Sequence, residues 1–110
     1  MLKGLLEGCL LGIIDKKEVY GYELTTILNS SGLNVSDGSI YPLLLKMQKE
    51  GLIIGELKPS TEGPMRKYYK LTDKGRDENV RFKEKWNVVK NAVDILVEGE
   101  WLWIQMNTLK

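Results

Sequence analysis

The chain has 110 residues and a formal net charge of +1, with 28% charged and 43% hydrophobic residues. These values are typical of one soluble globular domain near the lower end of the common size range, and they exclude a disordered chain. No apolar run reaches the roughly 20 residues that a membrane helix needs, so we expect no membrane insertion. The single cysteine, Cys9, cannot form an internal disulfide, and we predict a cytoplasmic location.

Two features that are typical of many enzymes are missing from the sequence. The sequence has no histidine, which excludes a His-based catalytic triad and an imidazole metal site. It has no phosphate-binding loop of the GxxxxGK type. Cys9 lies on the apolar side of the first predicted helix and is expected to be an inert core thiol. We therefore predict no catalytic residues, no metal and no cofactor.

Two helices are predicted in the first 30 residues. Apolar residues recur with helical spacing from Leu2 to Ile13, which predicts an amphipathic helix over residues 2–14. The segment DKKEVYGY is a polar break. Leu24, Ile27 and Leu28 indicate a second short helix, which the loop SSGLN ends.

The segment SDGSIYPLLLKMQKEGLI, residues 36–53, predicts a third helix with two unlike faces. Ser36 is a candidate N-cap, and Gly51 suits the left-handed position after the last turn. The face predicted to be buried carries Ile40, Leu43, Leu44 and Met47. The opposite face carries Ser39, Pro42, Lys46 and Lys49, flanked by Tyr41. Because the hydroxyls of Ser36 and Ser39 lie near a helix N-terminus, they suit contact with phosphates or base edges.

A β-hairpin and a long helix follow. LIIGELK (52–58) and RKYYKLT (66–72) have strand-forming composition, and the breaker-rich PSTEGPM between them indicates a mobile tip. Thr72 is expected to cap a final helix over residues 73–98. The apolar tail EWLWIQMNTLK then either docks, on a partner subunit or on the first helix, or frays.

This element order predicts a mainly α fold with a small β-hairpin. Residues 1–72 form a winged helix-turn-helix domain, and residues 73–110 form a C-terminal dimerisation helix and tail. In a winged helix the third helix enters the DNA major groove and the hairpin reaches the neighbouring backbone. From Lys58 to Arg76 the chain has six cations and two anions, a local net charge of +4 that favours DNA binding.

Three motifs together resemble the PadR family of transcriptional regulators: YGYEL, SDGSIYPLLLKMQKEGLI and RKYYKLTDKG. The resemblance is to the short-tailed members of the family, which end in a single long helix, and it implies a dimeric winged-helix repressor that binds double-stranded DNA. The DNA-contacting residues that it implies, together with the helix hydroxyls, are Tyr22, Ser36, Ser39, Tyr41, Lys46, Arg66 and Lys67. Tyr22 would lie near the DNA backbone or help the third helix to pack. One departure is GPM before RKYY, where family wings often carry extra arginine and glycine.

The last helix carries a coiled-coil-like seam. Its apolar residues are spaced 4, 3, 4 and 3: Phe82, Trp86, Val89, Val93 and Leu96. A second apolar stripe runs beside it, so one stripe can pack on the domain while the other needs a partner. A symmetric homodimer is the commonest such partner, and it would favour an inverted-repeat operator.

Two interpretations of Trp86 stay open. It is either a packed aromatic of the dimer interface or, with Val89 and Val93, part of a site for a small aromatic effector. The second interpretation comes from the resemblance, because multidrug-responsive members of the family place a tryptophan on this helix. The alternative for the whole chain is a winged-helix protein-interaction module without operator binding, but such a module has no need of the basic hairpin.

Overall fold

The helices and strands follow the predicted order, with one strand and one helix added. The computed structural model describes residues 2–60 and 63–108. In chain order the elements are α1 (Leu2–Lys16), β1 (Val19–Tyr20), α2 (Gly21–Ser30), α3 (Asp37–Lys49), β2 (Ile53–Ser60), β3 (Gly63–Leu71), α4 (Asp73–Val97) and α5 (Trp101–Thr108). The predicted fold class, mainly helical with a small sheet, is confirmed.

The chain divides into two compact units, residues 1–80 and 81–110, and α4 contributes to both. The predicted division after residue 72 stays a prediction. In the described part of the chain, no helix is both long and apolar enough to cross a bilayer.

The core of the first unit is formed by apolar residues of α1, α2, α3 and the three strands, together with Leu52. Leu10 of α1, Leu24 of α2 and Val19 of β1 are fully buried there. The four α3 residues predicted to face inward are also buried: Ile40, Leu43, Leu44 and Met47. The helical spacing in the sequence therefore gave the orientation of α3 correctly.

The turn between α2 and α3 is held by side chains. The amide of Asn29 bonds both backbone groups of Val35, accepting from its N–H at 2.8 Å and donating to its carbonyl at 3.0 Å. Thr25 donates its hydroxyl to Asp37 Oδ1 at 2.6 Å, which ties α2 to the first turn of α3. These bonds fix the angle at which α3 leaves the turn.

The ends of α3 are as predicted, except for the cap hydroxyl. Ser36 is the N-cap residue, but its side chain makes no capping bond and lies 3.2 Å from Ser39 Oγ. Pro42 lies inside the helix without ending it, since α3 continues to Lys49. Gly51 has the predicted positive φ, 77°.

The sheet has three antiparallel strands in the order β1-β3-β2, so the hairpin predicted from the sequence is correct but incomplete. The added strand β1 is only two residues long, and its Tyr20 pairs with Tyr68. A strand this short has no measurable alternation, which is why the segment was interpreted as a polar break. The predicted mobile tip falls partly on Thr61 and Glu62, which lie outside the described residues.

Thr72 joins the sheet to α4, as predicted. Its hydroxyl accepts a bond from the Gly75 N–H at 3.0 Å and donates to the Gly51 carbonyl at 2.6 Å. A side chain at Gly75 would collide with the backbone of Leu52. The start of α4 is therefore closely packed on the loop that follows α3.

In the second unit, α4 ends at Val97 and does not continue into the tail. Gly99 has φ 81°, and the Glu100 N–H bonds the Ile95 carbonyl at 3.0 Å, the pattern of a Schellman helix end. Residues 101–108 then form the separate helix α5. The apolar side chains Trp103 and Met106 are 60% and 71% exposed in the single chain.

Candidate nucleic-acid interface

The outer face of α3 has the predicted orientation. Ser36, Ser39, Tyr41 and Lys46 are exposed, while the opposite face is buried. The hydroxyls of Ser36 and Ser39 contact each other beside the first turn, where helix N–H groups lack helical partners. This end of α3 can therefore bond an anion or a base edge.

A surface hollow of about 500 Å³ brings together four of the seven predicted DNA-contacting residues. Tyr22 and Tyr41 come from α2 and α3, and Arg66 and Lys67 come from β3. The remaining lining residues are Tyr20, Gly21 and Tyr69. Tyr22 is 63% exposed, so of its two predicted roles the exposure favours a backbone contact over packing. Aromatic walls with two cations suit a sugar and its phosphate.

The two cations of the hollow lie over aromatic rings. The guanidinium carbon of Arg66 is 4.3 Å from the centroid of the Tyr20 ring, and Lys67 Nζ is 5.8 Å from that of Tyr69. The Tyr20 ring meets the Tyr68 ring edge-on at 5.6 Å. Of the neighbouring residues Tyr68 and Tyr69, Tyr69 is the buried one, and this burial raises the pKa of its hydroxyl.

Lys46 is engaged within the protein. Its ammonium donates to Glu7 Oε1 of α1 at 2.7 Å and lies 3.6 Å from Glu50 Oε1. The hydrogen bond to Glu7 is the main cause that raises the pKa of Lys46. In the free protein the Lys46–Glu7 pair links α3 to α1. A phosphate that bonds Lys46 would have to replace these carboxylates.

Three of the six cations between Lys58 and Arg76 are also engaged within the protein. Lys58 donates to Glu18 at 2.5 Å, which raises the pKa of Lys58 and lowers that of Glu18. Lys74 donates to the Glu50 carbonyl at 2.7 Å, and Arg76 pairs with Asp73. The cations of the hollow, Arg66 and Lys67, are thus better placed for an external anion than the net charge alone suggested.

Sequence reasoning missed Tyr20 and Gly21 as members of this surface. The segment DKKEVYGY was interpreted as a polar break, so Tyr20 was given no role at this surface. Its partner in the sheet is Tyr68, and that pairing brings the YGY segment beside the RKYY segment. The only hint in the sequence that these residues meet was that two tyrosine motifs, YGY and RKYY, occur in one short chain.

The residues predicted for dimerisation and effector binding lie on the part of α4 in the second unit. Trp86, Val93 and Leu96 are 41%, 47% and 60% exposed in the single chain. Phe82 and Val89 are half-buried. A continuous apolar seam is therefore available along this helix.

Two other predictions concern chemistry away from this surface. Cys9 is half-buried and packs against the core, as expected for a core thiol. Among residues 2–60 and 63–108, no three His, Cys, Asp or Glu side chains gather in a way that could hold a metal ion.

Comparison with known protein families identifies the family of this chain. Residues 10–81 match the model of the transcriptional regulator PadR-like family. The chain belongs to the PadR-like family of transcriptional regulators. Members of this family are transcriptional regulators, not enzymes, so the predicted absence of enzymatic activity agrees with the family.

Three relatives cover different fractions of the chain. A PadR-like transcriptional regulator from Bacillus cereus strain ATCC 14579 is 59% identical, with 88% of this chain and 95% of that chain covered and a TM-score of 0.82. A transcriptional regulator of Mycobacterium tuberculosis is 37% identical over 54% of each chain. Bacillus subtilis PadR in complex with operator DNA is 28% identical, with 71% of this chain and 45% of that chain covered and a TM-score of 0.64.

The family resemblance inferred from the three motifs is confirmed. The similarity to short-tailed, multidrug-responsive PadR members stays a prediction. So do the roles of the individual DNA-contacting, interface and effector-binding residues.

Proposed function

We propose that this PadR-like regulator is a homodimer that binds an inverted-repeat operator and represses transcription by blocking the promoter. In each subunit α3 would enter the major groove, and the hollow beside it would hold the neighbouring DNA backbone. The observation that carries the proposal is the meeting of Tyr22, Tyr41, Arg66 and Lys67 in that one hollow.

The DNA part of the proposal has support from a relative. Bacillus subtilis PadR, whose structure is similar over 71% of this chain, was solved in complex with operator DNA. The Ser36 and Ser39 hydroxyls at the exposed N-terminal end of α3 are suited to phosphate or base-edge contacts.

The dimer part of the proposal rests on the seam of α4. Exposed apolar side chains at Trp86, Val93 and Leu96 would lose contact with water against a second copy of the same seam. A two-fold symmetric dimer would present two α3 helices to successive major grooves, about 34–36 Å apart. The inverted repeat follows from the two-fold symmetry, and its spacing follows from the helical repeat of DNA.

The regulatory part concerns Trp86, Val89 and Val93. A flat aromatic effector between the two copies of Trp86 would change the angle between the paired α4 helices, and with it the spacing of the α3 helices. A coupling free energy of about 1–3 kcal/mol is enough for regulation. Release from the operator is the expected response.

Selection of bound duplexes from a random pool tests the proposal. The expected result is enrichment of an inverted repeat with half-sites one helical turn apart. Arg66→Ala/Lys67→Ala, which removes both cations of the hollow, should enrich the same repeat more weakly. Absence of any enriched sequence would contradict operator binding and would favour the alternative of a winged-helix module that binds proteins.

A further inference from the structure

Tyr20 is held in place by three contacts, two of them with Tyr68. Its backbone is paired with Tyr68 in the sheet, and its N–H donates to Glu23 Oε1 at 3.2 Å. Its ring meets the Tyr68 ring at 5.6 Å with an interplanar angle of 72°. Because strand, helix cap and ring contact all restrain Tyr20, its ring provides a fixed platform at the edge of the hollow.

The guanidinium of Arg66 lies over the ring of Tyr20. Its guanidinium carbon lies 4.3 Å from the centroid of the Tyr20 ring. Within the described ranges no carboxylate lies at ion-pair distance from Arg66, whereas Lys46 and Lys58 each have two. A guanidinium held over the face of a ring can keep N–H groups free for two parallel bonds to a phosphate.

We propose that Tyr20 is a positioning residue for DNA binding, which holds Arg66 in the hollow with its N–H edge directed at one backbone phosphate. The inference rests on the proposed function and adds Tyr20 to it, as a residue that contributes to DNA binding through Arg66. Without the ring, the Arg66 side chain would have more rotamers to lose on binding. The loss of one exposed cation–π contact corresponds to about a two- to five-fold loss of affinity.

A double-mutant cycle on the selected operator duplex tests this role. Tyr20→Ile removes the ring but keeps a strand-forming apolar side chain, and Tyr20→Phe keeps the ring without the hydroxyl. Each is measured alone and combined with Arg66→Ala by fluorescence anisotropy, with melting temperatures recorded for every variant. Tyr20→Ile should lose about two- to five-fold in affinity. Tyr20→Phe should bind like the wild type.

The decisive comparison is in the Arg66→Ala background. If Tyr20 acts through Arg66, Tyr20→Ile should cause no further loss there, since residues in contact give non-additive effects. Equal losses from Tyr20→Ile in both backgrounds would overturn the positioning role while leaving operator binding intact. Failure of the wild type to bind any duplex would instead overturn the proposed function, and the positioning role with it.

A measurement on the unmodified protein covers the case in which Tyr20→Ile does not fold. In the NMR spectrum of the free wild type, the side-chain protons of Arg66 should be shifted upfield by the Tyr20 ring current. The shifts should persist in Tyr20→Phe. Random-coil shifts for these protons would overturn the positioning role without any use of DNA.

Discussion

The ring of Tyr41 in α3 packs so closely on Gly21 in α2 that a Cβ at Gly21 would lie 2.7 Å from Tyr41 Cε1. No side chain fits between them, so residue 21 has to be glycine for Tyr41 to keep this position in the hollow. The clash involves only the outer end of the Tyr41 side chain, which can turn away.

Gly21→Ala should therefore affect DNA binding more than folding. We expect the displaced Tyr41 ring to weaken operator affinity several-fold, while the free energy of unfolding falls by about 1 kcal/mol or less. Operator titration and urea denaturation measure the two effects. Gly12→Ala is the matched control, since its added Cβ meets nothing within 4 Å. Equal operator affinity for both variants would remove Tyr41 from the interface.

The Lys58–Glu18 pair predicts a pH dependence of stability. The hydrogen bond from Lys58 lowers the pKa of Glu18 below its ordinary value of 4.5. The stabilisation is therefore complete above that value and is lost as the pH falls through the lowered pKa. On the alkaline side it is lost as the pH rises through the raised pKa of Lys58, above 10.5.

Lys58→Met separates this pair from other titrating groups. In an NMR titration, the pKa of Glu18 should return toward its ordinary value in this variant. The stability difference between wild type and Lys58→Met should also shrink below about pH 4.5. An unchanged Glu18 titration curve would show that the pair does not form in solution.

The seam of α4 predicts that a charge at its centre prevents dimerisation. Val93→Glu would bury a carboxylate without a partner in each subunit, which costs several kcal/mol. Sedimentation should show a monomer at micromolar concentration, and operator affinity should fall with it. Asn91→Glu adds the same charge at an exposed position outside the seam and should remain dimeric. A dimeric Val93→Glu would place the interface elsewhere.

Trp86→Ala distinguishes the two interpretations of that residue. If Trp86 binds an effector, operator affinity without ligand should stay nearly unchanged. Flat aromatic compounds should then release the variant from DNA less effectively than the wild type. The expected loss of response lies within the range of typical allosteric coupling, about five- to 150-fold. Trp101→Ala, which removes an exposed tryptophan of α5, is the control. Equal loss of ligand-free affinity and response would make Trp86 a structural interface residue.

The parts of the fold that were predictable from the sequence are those with local signals. The buried face of α3, from Ile40 to Met47, follows from helical spacing, and the end at Gly51 follows from glycine's freedom at positive φ. The strand at Val19 and Tyr20 was not predictable, because two residues carry no periodicity. Only pairing with Tyr69 and Tyr68 makes them a strand.

Four of the seven residues that line the hollow were predictable from the sequence, but their arrangement was not. Tyr41, Arg66 and Lys67 were identified from motifs and family resemblance. The contact of Arg66 with Tyr20 and that of Lys46 with Glu7 join residues far apart in the chain, so no local pattern indicates them. For the same reason the sequence charge of the wing could not distinguish engaged cations from available ones.

The salt dependence of operator binding, measured when both cations of the hollow are removed, tests most directly whether the hollow holds the DNA backbone. The affinities of wild type and Arg66→Ala/Lys67→Ala are measured over a range of salt concentrations, with Lys83→Ala/Lys85→Ala as a control of equal charge change on α4. We expect the first variant to lose about 2 from the salt slope, one for each phosphate contact, while the control keeps the wild-type slope. An unchanged slope for Arg66→Ala/Lys67→Ala, or an equal reduction in the control, would contradict the assignment of this hollow to the DNA backbone.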